Sequence, residues 1–578
     1  MAKAKKKTKK KKRQPPNPQV VAQRKQKRLV RSFFANLDFE RIKSDGIEFT
    51  FKNRTGELDD IFVFENIVVV AEYTIGDATS AHIAKKSILY NAIHQNQAEW
   101  ISFSSTTFPG FSATSAISTY KPSDCKVCLC YFSTQGASDQ IEQAFKYVHF
   151  LDGTKFRYFN ALSKTIHKSS RHEVFKYFGL EFKEIGAEVK NSSNSTKTFI
   201  GFVLPESYSS FPTGFKVVSF YADPNTLLTM SYVLRRDSWR DEEGMYQRVL
   251  QRGRMNQMRK YLTTEERVFV NNIIVTLPHD TKLNNPKDPG SNLDLKSLTH
   301  VESVAVAVPF RSNVIGIVDG QHRVFCYHEG SDKYEGKIKQ IRDRQNLLVT
   351  GIVYPIAYSD VEKRRFEAKL FLEINDKQKR TGSELKQSIE LILNPYSTVA
   401  IAKSVVHRLN NNGALKGMLQ TNYFDPPNLI RTTSIVSYGL RPLLKLDGKD
   451  SLFTAWQVTS KEKLRELQKG QSDPSKQDPI LESYILYCVE KVNDLLIAAK
   501  KADGPGKWKI TEKAKDRHLS PTIINGLIVC LRLLVENGKV FSLATYEKKL
   551  NGLGSFPFDQ YKSSHWKALG SAIYSKYF

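Results

Sequence analysis

The sequence predicts a multidomain α/β and α+β protein that ends in a helical region, and three observations carry that prediction. At 578 residues the chain is too long for one hydrophobic core, so about two to four domains are expected. Up to about residue 380, β-branched and aromatic runs alternate with amphipathic runs, the pattern of strands packed against helices. From about residue 384 onward the apolar residues recur three and four apart, as in Val399 to Leu409, Tyr484 to Ala498 and Thr522 to Leu534, which predicts helices.

Composition narrows the class. With 40% hydrophobic and 25% charged residues, most of the chain should fold. No apolar run approaches the roughly 18 residues that cross a bilayer, and no signal-peptide core is seen, so a cytoplasmic protein without a membrane partner is expected. Six cysteines do not make a disulfide framework. Cys125, Cys128 and Cys130 lie in or beside a strand-like run and lack a second ligand pair at zinc spacing, so they read as buried thiols. The absence of a Walker-type phosphate loop excludes a P-loop motor.

The charge points to polyanions. Lys and Arg number 87 against 59 Asp and Glu, a net charge of +28. Thirteen of these cations fall in residues 1–28, which carry no acid. Such an arm, with Lys9, Lys10 and Lys11 at its centre, is expected to be disordered and to collect DNA through counterion release, or else to serve as a solubilising tail or import signal.

Residues 29–152 read as the first folded domain. A helix is predicted from Leu29 to Ile42. Asp60 and Ile61 to Phe64, a Glu65-Asn66 turn and Ile67 to Glu72 then read as a β-hairpin. If Phe64 pairs with Ile67, stepping back along both strands sets Asp59 opposite Glu72, so two carboxylates share one face; a one-residue slip in the turn substitutes Asp60. Paired carboxylates at a strand end suit Mg²⁺, and Asp59, Asp60 and Glu72 are the candidate ligands. The arrangement resembles the PD-(D/E)XK nuclease core, in which an Asp opens one strand and a Glu-x-Lys closes the next. Here Thr74 stands where that family carries its Lys. Lys85 or Lys86, on the helix-like run His82 to Tyr90, is the alternative source of an amine, with Lys85 the candidate beside Asp59 and Glu72 as catalytic residues.

Residues 153–224 read as a connecting α/β segment, and residues 225–385 as a central domain. The central domain opens with a basic, aromatic stretch in which Arg235, Arg236, Arg248, Arg252 and Arg254 are candidate nucleic-acid contacts, or a solvated helix face. Its most informative stretch is Asp319-Gly320-Gln321-His322-Arg323, which joins the apolar run Val314 to Val318 to an amphipathic one. A strand that stops at Gly and turns into a helix presents backbone N–H groups to an anion, and Arg323 adds a forked donor. Asp319 is read as a catalytic residue or as a helix cap. Asn375, Lys377, Gln378 and Lys379 follow an apolar run and form a candidate second polar wall, or a solvated loop.

Tyr246-Gln247-Arg248, Asn271-Asn272-Ile273, Val318 to Arg323 and Phe371 to Arg380 occur in this order and together resemble the DGQHR-domain family, which includes DndB-like proteins and belongs to the ParB and sulfiredoxin-like superfamily. The resemblance covers roughly residues 225 to 400, with residues 386–578 similar to the helical C-terminal half of DndB-like proteins. It implies a ParB-like α+β domain that binds a nucleoside triphosphate, ATP or CTP, with Gly320, Gln321, His322 and Arg323 at the phosphates. Gln321 stands where sulfiredoxin has Cys, which argues against thiol redox chemistry. The resemblance further implies a DNA-associated role in a prokaryotic DNA-modification or phage-defence system, as a homo-oligomer among proteins of one operon. The alternative is a Mg²⁺-dependent nuclease whose DGQHR domain acts as a sensor.

Overall fold

The computed structural model describes residues 17–75, 80–112, 117–134, 136–186, 196–233, 250–375, 383–421, 425–470, 478–511 and 518–578. Lys9, Lys10, Lys11, Arg235, Arg236, Arg248, Lys377, Gln378 and Lys379 lie outside the described residues.

The first helix, α1 (Pro18–Asn36), starts where Asn17 accepts a hydrogen bond from the Gln19 N–H and Pro18 takes the first helical position. Eleven residues of the segment expected to be disordered, 18–28, are instead helical, and Gln26 is buried with its amide donating to the Phe132 carbonyl. Helix α1 also stops sooner than expected, because Glu40–Ile42 is strand β1.

Strands β2 (Asp60–Phe64) and β3 (Ile67–Thr74) form the expected hairpin in the expected register, Phe64 opposite Ile67 and Asp60 opposite Ala71. Its two-residue turn is pinned rather than merely short. Glu65 takes φ 50°, and the buried Asn66 side chain donates to the Asp124 and Glu184 carbonyls while accepting from the Gly186 N–H. Strands β4 (Lys126–Ser133) and β5 (Val148–Leu151) continue the sheet in parallel, giving the order β1-β2-β3-β4-β5.

Every residue from Ile67 to Glu72 is buried, as expected for a strand covered on both faces. On one face Phe34 of α1 stacks on Phe62 at 4.2 Å between centroids, and helix α2 (Gly153–Ile166) packs beside it through Tyr158, Phe159 and Leu162. On the other face Ile61, Val68 and Val70 meet Tyr90, Ile93 and Trp100 of helices 80–95 and 97–107. Cys125, Cys128 and Cys130 are buried free thiols, as expected, and burial pushes the Cys128 thiol up to about 12.

The segment 153–224, expected as a connector, contributes elements to two sheets that share one hydrophobic core. Helix α2 belongs to the first sheet. Strands β6 (Thr196–Val203) and β7 (Lys216–Ala222) instead sit inside a nine-stranded mixed sheet with β8 (Ser231–Tyr232), β9 (Ile273–Leu277), β10 (Lys282–Asn285), β11 (Asp288–Asn292), β12 (Glu302–Pro309), β13 (Ile315–Asp319) and β14 (Leu347–Val353). The spatial order is β8-β13-β9-β14-β7-β6-β12-β10-β11.

Residues beyond 386 are mainly helical around a separate core, with helices such as Thr398–Asn411, Pro479–Asp503, Pro521–Glu536 and Trp566–Tyr577. Among the described residues, no helix is long and apolar enough to cross a membrane.

Candidate functional site

The corner where β2 begins and β3 ends gathers the acidic residues of the first domain. Asp59 directly precedes β2, and its Oδ2 accepts the backbone N–H of Tyr73 at 3.0 Å, which ties it to the strand carrying Glu72. Its Oδ1 takes the Lys27 ammonium of α1 at 2.5 Å. Glu72 is 5% exposed; its Oε1 lies 3.0 Å from Lys86 Nζ, and its Oε2 accepts from Tyr90 OH at 3.3 Å. Lys86 is fixed further by donating to the Glu57 carbonyl at 2.8 Å.

Burial, seconded by the negative charge of Asp59, raises the Glu72 carboxyl to about 7 despite the pull of Lys86. A carboxyl poised at neutrality, beside a second carboxylate and an ammonium, can bind a divalent ion or exchange a proton near physiological pH.

Two candidates at this corner need correction. Lys85 is exposed, and the amine at Glu72 is Lys86, one residue and about 100° further round the helix. Asp60 is fully buried and closed off: Arg31 Nε reaches its Oδ2 at 2.7 Å, Arg41 Nε bonds its Oδ1, and Tyr73 OH donates to it at 2.8 Å. A carboxylate so occupied is a structural anion, not a metal ligand. Thr74 ends β3, so no ammonium arises from the strand itself. Lys27 was missed as a partner of Asp59, because its segment reads as part of a polybasic tail. Among the described residues no group of three or more His, Cys, Asp or Glu side chains gathers as a metal cluster.

The Asp319–Arg323 turn is built differently from the expectation. Gly320 has φ 98°, and a Cβ there would lie 2.7 Å from Ile273 Cδ1 and 3.1 Å from Arg323 Nη2, so only glycine fits. The helix that follows, α3 (Gln321–Phe325), has five residues and opens with no side-chain cap. Asp319 therefore does not cap it. Instead Asp319 Oδ2 accepts Arg323 Nη2 at 2.6 Å across that turn. The guanidinium expected to face an anionic ligand is engaged by its own strand end. Gln321 is buried and His322 half-buried beside it.

The remaining candidates scatter. Arg252 and Arg254 are exposed at the start of helix α4 (Arg252–Glu265), free of the core and available to a polyanion. Arg259, on the same helix, is wholly buried: it binds Asp332, Glu335 and the Cys326 and His328 carbonyls. Asn375 closes helix α5 (Asp360–Asn375) by donating to the Phe371 carbonyl at 2.9 Å.

No family model, curated protein or solved structure matches the chain.

Proposed function

We propose that this chain engages DNA as part of a prokaryotic DNA-modification or phage-defence system, and that its N-terminal domain, a nuclease-like fold of the PD-(D/E)XK kind, contacts the phosphodiester backbone through the Asp59, Glu72 and Lys86 corner. One observation carries the reading: the amine missing at Thr74 is supplied from the neighbouring helix, with Lys86 Nζ 3.0 Å from Glu72. The order of elements supports it: a helix, strand β1, a separate hairpin of Phe49–Phe51 and Arg54–Gly56, the antiparallel pair β2 and β3, two helices and the parallel strand β4, with acids at the start of β2 and near the end of β3.

Asp59 and Glu72 offer hard oxygen ligands to Mg²⁺, with Asp59 the more accessible of the two. A bound divalent ion would polarise the phosphodiester and lower the pKa of a water. Lys86 adds a positive charge beside the carboxylates to offset the negative charge that develops on a phosphate, and in the metal-free site Glu72 exchanges a proton near neutral pH. The basic excess of the chain and the exposed Arg252 and Arg254 provide long-range attraction for DNA. The central domain, by its resemblance to the DGQHR family, is the proposed nucleotide-binding partner of this activity.

A second reading has its own support. Both carboxylates already hold lysine partners, Lys27 on Asp59 and Lys86 on Glu72, so the ammonium groups stand where cations are needed. A domain arranged this way binds DNA without cutting it. Plasmid incubated with the purified chain and Mg²⁺ or Mn²⁺, against Asp59→Ala, Glu72→Ala and Lys86→Ala variants, separates the two. Metal-dependent nicking lost in the variants supports cleavage, and intact plasmid with DNA affinity altered in the variants supports binding alone.

A further inference from the structure

The helical C-terminal region carries a pair of stacked rings at its surface, apart from both the carboxylate corner and the Asp319–Arg323 turn. Tyr438 lies on Trp566 with ring centroids 5.0 Å apart and planes 23° from parallel. Although one side of its ring is covered in this way, Tyr438 remains 53% exposed. The stack therefore presents an open aromatic face to solvent.

The helices beneath fix the pair in place. Tyr438 belongs to the π-helix Ile435–Leu440, and Trp566 opens the helix Trp566–Tyr577. Both elements pack on the helix Pro521–Glu536, and both approach it through glycine: a Cβ on Gly439 would lie 2.5 Å from Asn525 Oδ1, and one on Gly570 would lie 2.6 Å from Val529 Cβ. The π-helix buries Ile435, Val436, Gly439 and Leu440, which leaves Tyr438 on its outer side. Such π-helical turns are rare and occur disproportionately at functional sites.

The charge around the rings is of one sign. Residues 426–446 and 560–578, which supply the two rings, contain no Asp or Glu. The helix they share holds its one acid, Glu536, about three turns past Asn525. Arg441 follows Tyr438 by three residues, Lys567 follows Trp566 directly and Lys562 precedes it by four. All three are exposed, and among the described residues none is paired with a carboxylate. Other cations of the same region are held by acids, as Arg408 is by Glu482 and Lys501 by Glu547. An open aromatic face suits a flat ring and unpaired cations suit a polyanion. Single-stranded nucleic acid offers both, since its bases stack on aromatic side chains while its phosphates meet Lys and Arg.

We propose that this surface binds single-stranded nucleic acid, with one base continuing the Trp566–Tyr438 stack on the open face of Tyr438 and the neighbouring phosphates at Arg441 and Lys567. The inference adds a contact on the C-terminal helices to the DNA reading and does not depend on the carboxylate corner. The corner is read on duplex plasmid and this surface on single strands, so either can fail alone.

Fluorescence anisotropy of the full chain with a labelled oligothymidylate, and with an abasic strand of the same length, tests this over a series of salt concentrations. The oligothymidylate should bind more tightly than the abasic strand, by about fivefold or more. Tyr438→Ala should remove that difference by weakening the oligothymidylate alone, while Tyr438→Phe, which keeps the ring, should preserve it. The Arg441→Ala/Lys567→Ala double variant should lower the slope of log affinity against log salt for single strands by about 1.4. Should Tyr438→Ala fail to fold, as judged by circular dichroism, the double variant, whose altered side chains are exposed, carries the test. Equal affinity for the two strands, a folded Tyr438→Ala that keeps the wild-type preference, a Tyr438→Phe that loses it, or an unchanged salt slope in the double variant would each overturn the proposal. Failure to bind any strand would overturn it as well and would assign the rings to a protein partner.

Discussion

Lys86 Nζ stands 3.0 Å from Glu72 Oε1, joining a helix to the end of a buried strand through one ion pair. The pair is asymmetric in its surroundings. The lysine side chain is 23% exposed and the glutamate side chain 7%, so the carboxylate bears most of the desolvation. That asymmetry gives the corner a pH dependence that can be measured.

Glu72 titrates near 7 in the folded chain against a carboxyl's ordinary 4.5. A raised carboxyl pKa means that the folded state holds a proton that the unfolded state has released, so stability falls as pH rises from about 4.5 to about 7. The cost at pH 8 is on the order of 3 kcal/mol. Glu72→Gln should therefore melt higher than the wild-type chain at pH 8 and at about the same temperature near pH 4.5, by thermal denaturation across that range. Equal melting temperatures at pH 8 would contradict the assignment.

Asp59 and Asp60 are adjacent in sequence and should behave oppositely. Asp60→Ala removes a buried anion from between Arg31, Arg41 and Tyr73, and should cost roughly 3 kcal/mol in urea denaturation. Asp59→Ala breaks a partly exposed pair and should cost under about 1 kcal/mol while altering DNA cleavage or binding. A stable Asp60→Ala chain with lost DNA activity would reverse the two roles.

Gly320→Ala tests the turn. The new Cβ would meet Ile273 at 2.7 Å with the backbone at φ 98°, so a loss of about 2 kcal/mol is expected, measured by chemical denaturation. A loss below about 0.5 kcal/mol would show that the turn relaxes readily.

Arg252 and Arg254 predict a salt effect. If their exposed side chains contact DNA phosphates, the double Ala variant should lower the slope of log affinity against log salt by about two units. An unchanged slope would place the DNA elsewhere on the chain.

The hairpin register was legible because two apolar strands separated by a two-residue turn allow little slippage, and a slip would have turned Ile61 and Val68 out of their core. The choice between Lys85 and Lys86 was not legible: neighbouring helix positions differ by about 100°, and only packing of the helix, through Ile83, Leu89, Tyr90 and Ile93, sets its rotation. Asn17 and Pro18 carried a helix-start signal, but the run of lysines around them reads as a repelling tail. Arg323 looked like an anion donor because its i−4 partner, Asp319, also reads as a cap.

The most direct measurement of the central claim follows supercoiled plasmid incubated with Mg²⁺ or Mn²⁺ alongside DNA affinity for the wild-type, Asp59→Ala, Glu72→Ala and Lys86→Ala chains. The proposed function predicts that all three substitutions change the same DNA readout, by loss of metal-dependent nicking or by a shift in affinity. Intact plasmid with every metal, together with identical affinity in all four chains, would contradict the claim that this corner contacts the phosphodiester backbone.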